Sequence, residues 1–300
     1  MLEVINLVKE FNNTTAVNNI SFKVEPGKIF GLLGPNGAGK TTTIRIILDI
    51  LKPSSGEIKF SGKKIDQNFQ NITGYLPEER GLYKKNKVFS VICYFAELKN
   101  IETKKAHQLT DFWLKKLNMF EYRNRKVEEL SKGNQQKIQF ITAIVHNPNV
   151  LILDEPFSGF DPINQQEIKE LILALVNEGK TIILSTHQME LAEKLCSEIF
   201  LINKGLEVIS GNLNDVKRKF GTKNIKIEYN GDATFINEMD EVVHLDLYQN
   251  YAEVQLKQEA YPTNFLRKIV ERIEINNFSV LEPTLNRIFI DAVSKSKGEL

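Results

Sequence analysis

The string Gly34-Pro35-Asn36-Gly37-Ala38-Gly39-Lys40-Thr41 constrains the fold of this chain more tightly than any other stretch. It follows Lys28-Ile29-Phe30-Gly31-Leu32-Leu33, which reads as a buried strand, and runs straight into Thr42-Thr43-Ile44-Arg45-Ile46-Ile47-Leu48, which reads as a helix. A strand, a G-x-x-x-x-G-K-T loop and a helix in succession belong to an α/β fold, where the loop and the helix N-terminus aim backbone N–H groups at one anion. Gly34, Gly37 and Gly39 let the backbone turn that sharply. Lys40 adds a positive point charge for the β- and γ-phosphates of a nucleotide triphosphate, and the Thr41 hydroxyl is a ligand for Mg²⁺. Pro35, Asn36, Ala38 and Thr42 complete the set assigned to the nucleotide.

Downstream segments fit a sheet around that loop. Asn149-Val150-Leu151-Ile152-Leu153 and Thr181-Ile182-Ile183-Leu184 are continuous apolar runs, as in parallel strands covered on both faces. Between them Asn164 to Asn177 reads as a helix with Gly179 as its stop. From about Val88 to Asn147 the period is helical. Val88, Val91, Ile92, Phe95 and Leu98 form one stripe, and Leu109, Phe112, Trp113, Leu117 and Met119 suggest another; both read as core. These elements make a phosphate-loop α/β core, taken as residues 1–219, with a helical insertion at about 88–147. Near Phe220-Gly221 the pattern changes. Ile225 to Tyr229 and Ala252 to Leu256 alternate as half-exposed strands, and Pro262 to Ile273 and Leu285 to Val293 read as helices. Residues 220–300 are therefore expected to form a small α+β domain.

Composition excludes some partners. The 39 Lys and Arg nearly balance the 38 Asp and Glu, so bulk charge favours neither nucleic acid nor an anionic membrane. Cys93 and Cys196 lack metal-ligand spacing and read as core thiols in a reducing compartment. The first ten residues alternate like a strand and lack the basic and long apolar regions of a signal peptide. No window approaches the roughly 18 to 20 apolar residues that span a bilayer, so the chain reads as soluble and any membrane role runs through a partner.

Asp154 and Glu155 end the strand at Leu153, in the crevice where α/β folds bind ligands. Asp154 there would hold Mg²⁺, and Glu155 would orient and partly deprotonate an attacking water. With these residues in view, the chain resembles the ATP-binding cassette (ABC) ATPases. Leu130-Ser131-Lys132-Gly133-Asn134-Gln135-Gln136-Lys137 looks like their signature, usually written LSGGQ; Ser158-Gly159-Phe160-Asp161 resembles the D-loop and Ser185-Thr186-His187 the switch histidine. The resemblance covers roughly residues 1 to 215. It implies a RecA-like core with an antiparallel β subdomain and a helical insertion, ATP and Mg²⁺ as ligands, and an ATPase working through a transmembrane permease at the cytoplasmic face of the membrane.

The resemblance also implies roles. Phe11 would stack on adenine. Lys40, Glu155 and His187 would be catalytic, with Thr41, Glu78 and Asp154 around the metal. Ser131, Lys132, Gly133, Asn134 and Asp161 would reach the ATP of a second copy in a head-to-tail dimer, a homodimer being feasible because the motif set is intact. Three departures from the usual pattern stand out: in the signature Lys132 replaces Gly and Asn134 replaces Gln, after Tyr75-Leu76-Pro77 Glu78 replaces Gln, and Phe11 replaces Tyr. Tyr75 to Tyr83, with Leu-Ser-Lys-Gly-Asn and Glu282-Pro283-Thr284-Leu285, is similar to a bacterial exporter subgroup that carries a small C-terminal module, several members of which are linked to sodium or drug efflux. Translation and DNA-repair members of the family carry paired cassettes with charged linkers or long coiled coils, and neither feature occurs here.

Overall fold

A computed structural model describes all residues except 80, 221, 222, 258, 282 and 296–300; Arg80, Gly221 and Glu282 of the segments quoted above lie outside the described residues. The chain divides into two compact units, Met1–Gly211 and Asn212–Leu300. The division falls earlier than the change of pattern near Phe220 suggested. Helix Leu213–Phe220 packs on the helix that begins at Leu285, so it belongs with the second unit.

In the first unit β1 (Leu2–Phe11) and β2 (Thr14–Val24) form a hairpin, and β3 (Ile29–Leu33) feeds α1 (Lys40–Ile47). Then come β4 (Ser55–Phe60), β5 (Lys63–Lys64), α2 (Gln67–Asn71) and β6 (Thr73–Leu76). The helices α3 (Val88–Leu98), α4 (Thr103–Lys116) and α5 (Lys132–Ile144) form the insertion. The remainder is β7 (Val150–Asp154), α6 (Pro162–Asn177), β8 (Thr181–Thr186), α7 (Met189–Leu195), β9 (Glu198–Asn203) and β10 (Leu206–Asn212).

Two sheets result. One is antiparallel, in the order β2-β1-β4-β5; the other runs β10-β9-β3-β8-β7-β6 and is parallel from β9 to β6. Every residue of β3, β7 and β8 is buried, the state expected of central parallel strands covered on both faces. The two sheets share one core in which Phe22 lies against Phe30 and Phe200, with centroids 5.0 and 4.9 Å apart. Pairing of β3 with β8 sets Leu33 opposite Thr186, and pairing of β7 with β8 sets Asp154 opposite Ser185. Three adjacent strands thus end together, which brings segments more than a hundred residues apart to one crevice.

In the insertion, α3 packs on both α4 and α5. Val88, Val91, Ile92, Trp113, Leu117 and Met119 are buried, but Leu98 and Phe112 are 56% and 53% exposed, contrary to the reading of both stripes as core. Helical spacing places residues on one face without deciding how wide a face the neighbours cover. Phe112 instead lies edge-on to Trp113 with the Lys116 ammonium above its ring.

The second unit contains α8 (Leu213–Phe220), β11 (Lys223–Asn230), β12 (Val242–Leu247), β13 (Tyr251–Leu256), α9 (Pro262–Val270), β14 (Glu274–Leu281) and α10 (Leu285–Lys295). Its antiparallel sheet has the order β12-β13-β11-β14. Ile225, Ile227, Val254 and Leu256 pack with Phe265 and Ile269 of α9, a core of its own. Alternation along β11 and β13 sets these residues inward, while Lys226 and Glu253 pair across the other face. Helix α9 stops at Val270, short of Ile273, because β14 begins at Glu274.

Candidate functional site

The loop between β3 and α1 is held by backbone contacts that leave no room for side chains at two glycines. Gly34 has φ +154°, and a Cβ there would meet the Ile202 carbonyl oxygen at 2.2 Å; Gly39 has φ +113°, and a Cβ would meet that of Ala16 at 2.6 Å. Gly39 is also the N-cap of α1, whose first turn carries no acidic residue, so its positive end remains open to an anion. Lys40 is only 6% exposed. Its ammonium donates to the carbonyls of Gly34 and Pro35 at 2.7 and 3.1 Å and lies 3.6 Å from Glu155 Oε1.

Glu155 follows β7 in the left-handed region, with φ +48°. For a residue with a Cβ that conformation costs roughly 1–2 kcal/mol. It turns the carboxylate back over the ends of β7 and β8, where Oε1 accepts from the His187 backbone N–H at 2.9 Å and lies 2.8 Å from His187 Nδ1. Oε2 accepts from Thr186 Oγ1 at 3.1 Å. The carboxylate is 6% exposed and yet fully partnered, which is what lets a charge persist in such a place.

Asp154 is different. One carboxylate oxygen, Oδ1, accepts from the Ser185 hydroxyl, while Oδ2 is buried and has no hydrogen-bond partner among the described residues. Burial raises the pKa of this carboxyl, with Ser185 and Thr41 opposing the rise. An orphaned anionic oxygen at the mouth of a phosphate loop calls for a cation. Thr41, Glu78 and Asp154 line one cleft and offer only oxygen donors, the donor set of a hard cation such as Mg²⁺. The residues present fit that ion.

A cavity of about 310 Å³ is lined by Asn36, Gly37, Gly39, Lys40, Thr41, Thr42, Glu78 and Glu155, together with Ala16. The remaining sequence-assigned residues lie outside it. Phe11 ends β1, 44% exposed, with the Lys9 ammonium 5.0 Å from its ring centroid. Ser131 caps α5 by accepting from Asn134 N–H at 3.2 Å, and Lys132, Gly133 and Asn134 form the first turn of that helix. Asp161 caps α6, its two oxygens accepting from the Asn164 backbone and side chain at 2.9 and 2.5 Å, and the backbone bond holds its pKa down. The start of α5 is fastened to this segment, since the Gln136 amide donates to the Ser158 carbonyl and Lys137 pairs with Glu167.

The hydroxyls of Ser185 and Thr186, which hold the two strand-end carboxylates, escaped assignment from sequence. Their signal was present: two hydroxyl residues close a strand directly after the apolar run Ile182-Ile183-Leu184. Ala16 left no signal, because only its backbone approaches the loop.

With this geometry in place, comparisons with known proteins are informative. Residues 17–158 match the ABC transporter family model, and residues 211–293 match the DrrA1-3-like ATP-binding protein C-terminal domain. YhaQ, an uncharacterized ABC transporter ATP-binding protein of Bacillus subtilis, is 41% identical over 293 residues, 98% of each chain. A Nod factor export ATP-binding protein I of Burkholderia lata is 34% identical over 209 residues, 69% of each chain. Among solved structures, the ATP-binding subunit of an ABC transporter superposes with a TM-score of 0.68 at 27% identity, covering 73% of this chain and 93% of that one. A dimeric bacterial ABC transporter cassette, MJ0796, gives 0.66 at 21% identity over 71% and 99%, a likeness of fold. Together they establish that the chain belongs to the ABC transporter ATP-binding proteins, the family whose cassettes bind and hydrolyse ATP to power transport.

Proposed function

We propose that this chain is the ATPase of an export system, acting as a homodimer on a separate transmembrane permease at the cytoplasmic face of the membrane. The convergence of Lys40 and Glu155 on the phosphate-loop cavity, with His187 Nδ1 2.8 Å from Glu155 Oε1 behind them, carries this reading. The triphosphate lies along the loop N–H groups and Lys40, and Phe11 stacks on adenine. Glu155 takes a proton from the attacking water as the water oxygen bonds to the γ-phosphorus and the bridging oxygen leaves with ADP. His187 holds the Glu155 carboxylate in place and contacts the γ-phosphate. Thr41, Asp154 and Glu78 would hold Mg²⁺, which would supply positive charge against the triphosphate.

Ser131, Lys132, Gly133, Asn134 and Asp161 do not line the cavity of their own chain, and in this reading they serve the ATP of the partner copy. That fits Ser131 and Gly133 at the positive end of α5. Among the described residues no helix is long and apolar enough to cross a membrane, so the pathway lies in the permease. Export rather than import is supported by the Nod factor export relative and by the match of the second unit to a DrrA-type module; sodium, drugs and peptides are the cargo classes in view. Residues 1–211 are the ATPase body in this scheme and residues 212–300 an accessory module.

The test is Glu155→Gln. MgATP affinity is expected to stay within about threefold, since phosphate contacts come from the loop, while kcat falls roughly 1000-fold. A variant whose kcat stays within tenfold of the parent refutes the role of Glu155.

A further inference from the structure

Every residue of α5 from Lys137 to Ile144 is buried, and most are apolar. Gln139 stands among them, 4% exposed, and a buried amide is costly unless its hydrogen bonds are made. They are made on a single loop. Its Nε2 donates to the Pro77 carbonyl at 3.2 Å and to the Glu79 carbonyl at 3.0 Å. An amide nitrogen has two N–H donors, so both are engaged. The residue between the two carbonyls is Glu78.

Pro77, Glu78 and Glu79 belong to no helix or strand. Pairing of β6 with β7 fixes the chain as far as Leu76. Beyond that point, among the described residues, no side chain other than Gln139 bonds to the backbone of these three. Glu78 lines both the phosphate-loop cavity and the cleft it shares with Thr41, Arg45 and Asp154.

We infer that Gln139 is a positioning residue for the cation cleft: its amide spans both carbonyls that flank Glu78 and holds that carboxylate towards Thr41 and Asp154. The inference rests on the reading of Glu78 as a metal-holding group. It has a consequence for the rest of α5. Ser131 caps that helix about two turns before Gln139. Gln136 and Lys137 fasten the same helix to Ser158 and Glu167. A shift of α5 is therefore passed through one side chain to the carbonyls on either side of Glu78.

Mn²⁺ is the probe, because paramagnetic resonance distinguishes free from bound ion, and the full-length chain is loaded with ADP. Gln139→Met keeps the length of the side chain and removes both donors. Mn²⁺ should be held about tenfold more weakly, the usual loss when a group orienting a metal ligand is removed. ADP affinity without metal should stay within about twofold, since the phosphate loop is untouched. A cycle with Glu78→Ala separates positioning from general loosening: once that carboxylate is gone, Gln139→Met should change Mn²⁺ affinity by less than about twofold. Equal losses in both backgrounds overturn the inference, as does an unchanged Mn²⁺ affinity in the Gln139→Met single variant. Glu78→Ala that binds Mn²⁺ as the parent does overturns the metal reading of Glu78, and the positioning role falls with it. If the methionine variant does not fold, Gln139→Asn keeps the amide but is one methylene too short for both carbonyls, and the same outcomes decide.

Discussion

His146 makes the first unit acid-sensitive by an amount that follows from its surroundings. Its Nε2 lies 3.3 Å from the Thr73 carbonyl oxygen, while Nδ1 is buried with no hydrogen-bond partner among the described residues. Burial, with Lys99 and then Lys180 repelling a charge, pulls its pKa from 6.5 to about 4, the Thr73 bond opposing. The folded-state value is the lower one, so above pH 6.5 the residue is neutral in both states and has no effect. As pH falls from 6.5 towards 4 the unfolded chain takes up a proton that the folded chain refuses, and stability is lost. Integrating between pH 7 and 4.5 gives a loss of about 2 kcal/mol from this one group. His146→Gln keeps an amide donor for Thr73 and removes the titration. Urea unfolding followed by fluorescence of Trp113, the single tryptophan and a buried residue of the first unit, should show the parent losing about 2 kcal/mol more than the variant over that range. Carboxylates titrate alike in both proteins and cancel. Parallel profiles, agreeing within about 0.5 kcal/mol at every pH, would refute the reasoning.

Three further perturbations test the site and the core. Gly34→Ala, which drives a Cβ into the Ile202 carbonyl, should cost about 3 kcal/mol or more, whereas Gly37→Ala meets nothing within 4 Å and should cost about 1 kcal/mol for its left-handed φ alone; equal losses in thermal unfolding would contradict the loop geometry. Asp154→Asn discards a buried charge with an orphaned oxygen, so without metal the variant should be as stable as the parent or about 1 kcal/mol more so, while turnover falls at least about 100-fold; a destabilised variant of normal activity would reverse the assignment. Cys93 and Cys196 are both buried, and burial lifts the Cys196 thiol to about 12, so neither should react with a thiol reagent at pH 8 until denaturant is added. Rapid labelling of the native protein would show the packing around α3 or α7 to be wrong.

Legibility from sequence followed the range over which each physical cause acts. The phosphate loop was readable because its demands are local: glycines, a lysine and a threonine at fixed spacing between an apolar strand and a helix. The strands at Val150 and Thr181 were readable because burial on both faces erases polar alternation. β9, also largely buried, was missed, since Glu198 and Asn203 at its ends shorten the apolar run to strand-ambiguous length. Exposure of Leu98 and Phe112 depends on how far neighbouring helices reach across α3 and α4, which no spacing encodes. The unit boundary was placed late because α8 has the amphipathic pattern of either unit, and only its packing on α10 decides the matter.

The geometry around Glu155 explains why the strand-end pair divides its labour. Both carboxylates are buried and adjacent in sequence, so ionising them together is costly unless their environments differ. Asp154 continues the strand and points one oxygen at Ser185, leaving the other for a cation. Glu155 breaks from the strand into a left-handed turn, and that turn carries its carboxylate to Lys40, Thr186 and His187. The turn's strain of roughly 1–2 kcal/mol is offset by charge-assisted hydrogen bonds that a strand-continuing residue could not form. A substitution that relaxes the turn, Glu155→Gly, should therefore remove the strain together with all four interactions. Comparing it with Glu155→Gln separates backbone from carboxylate. If the turn exists to aim the carboxylate, the glycine variant loses the same turnover as the glutamine variant but also frees His187, whose ring 15N and 1H resonances then move away from their positions in the parent. Resonances that stay as in the parent would mean that His187 is held by something other than Glu155.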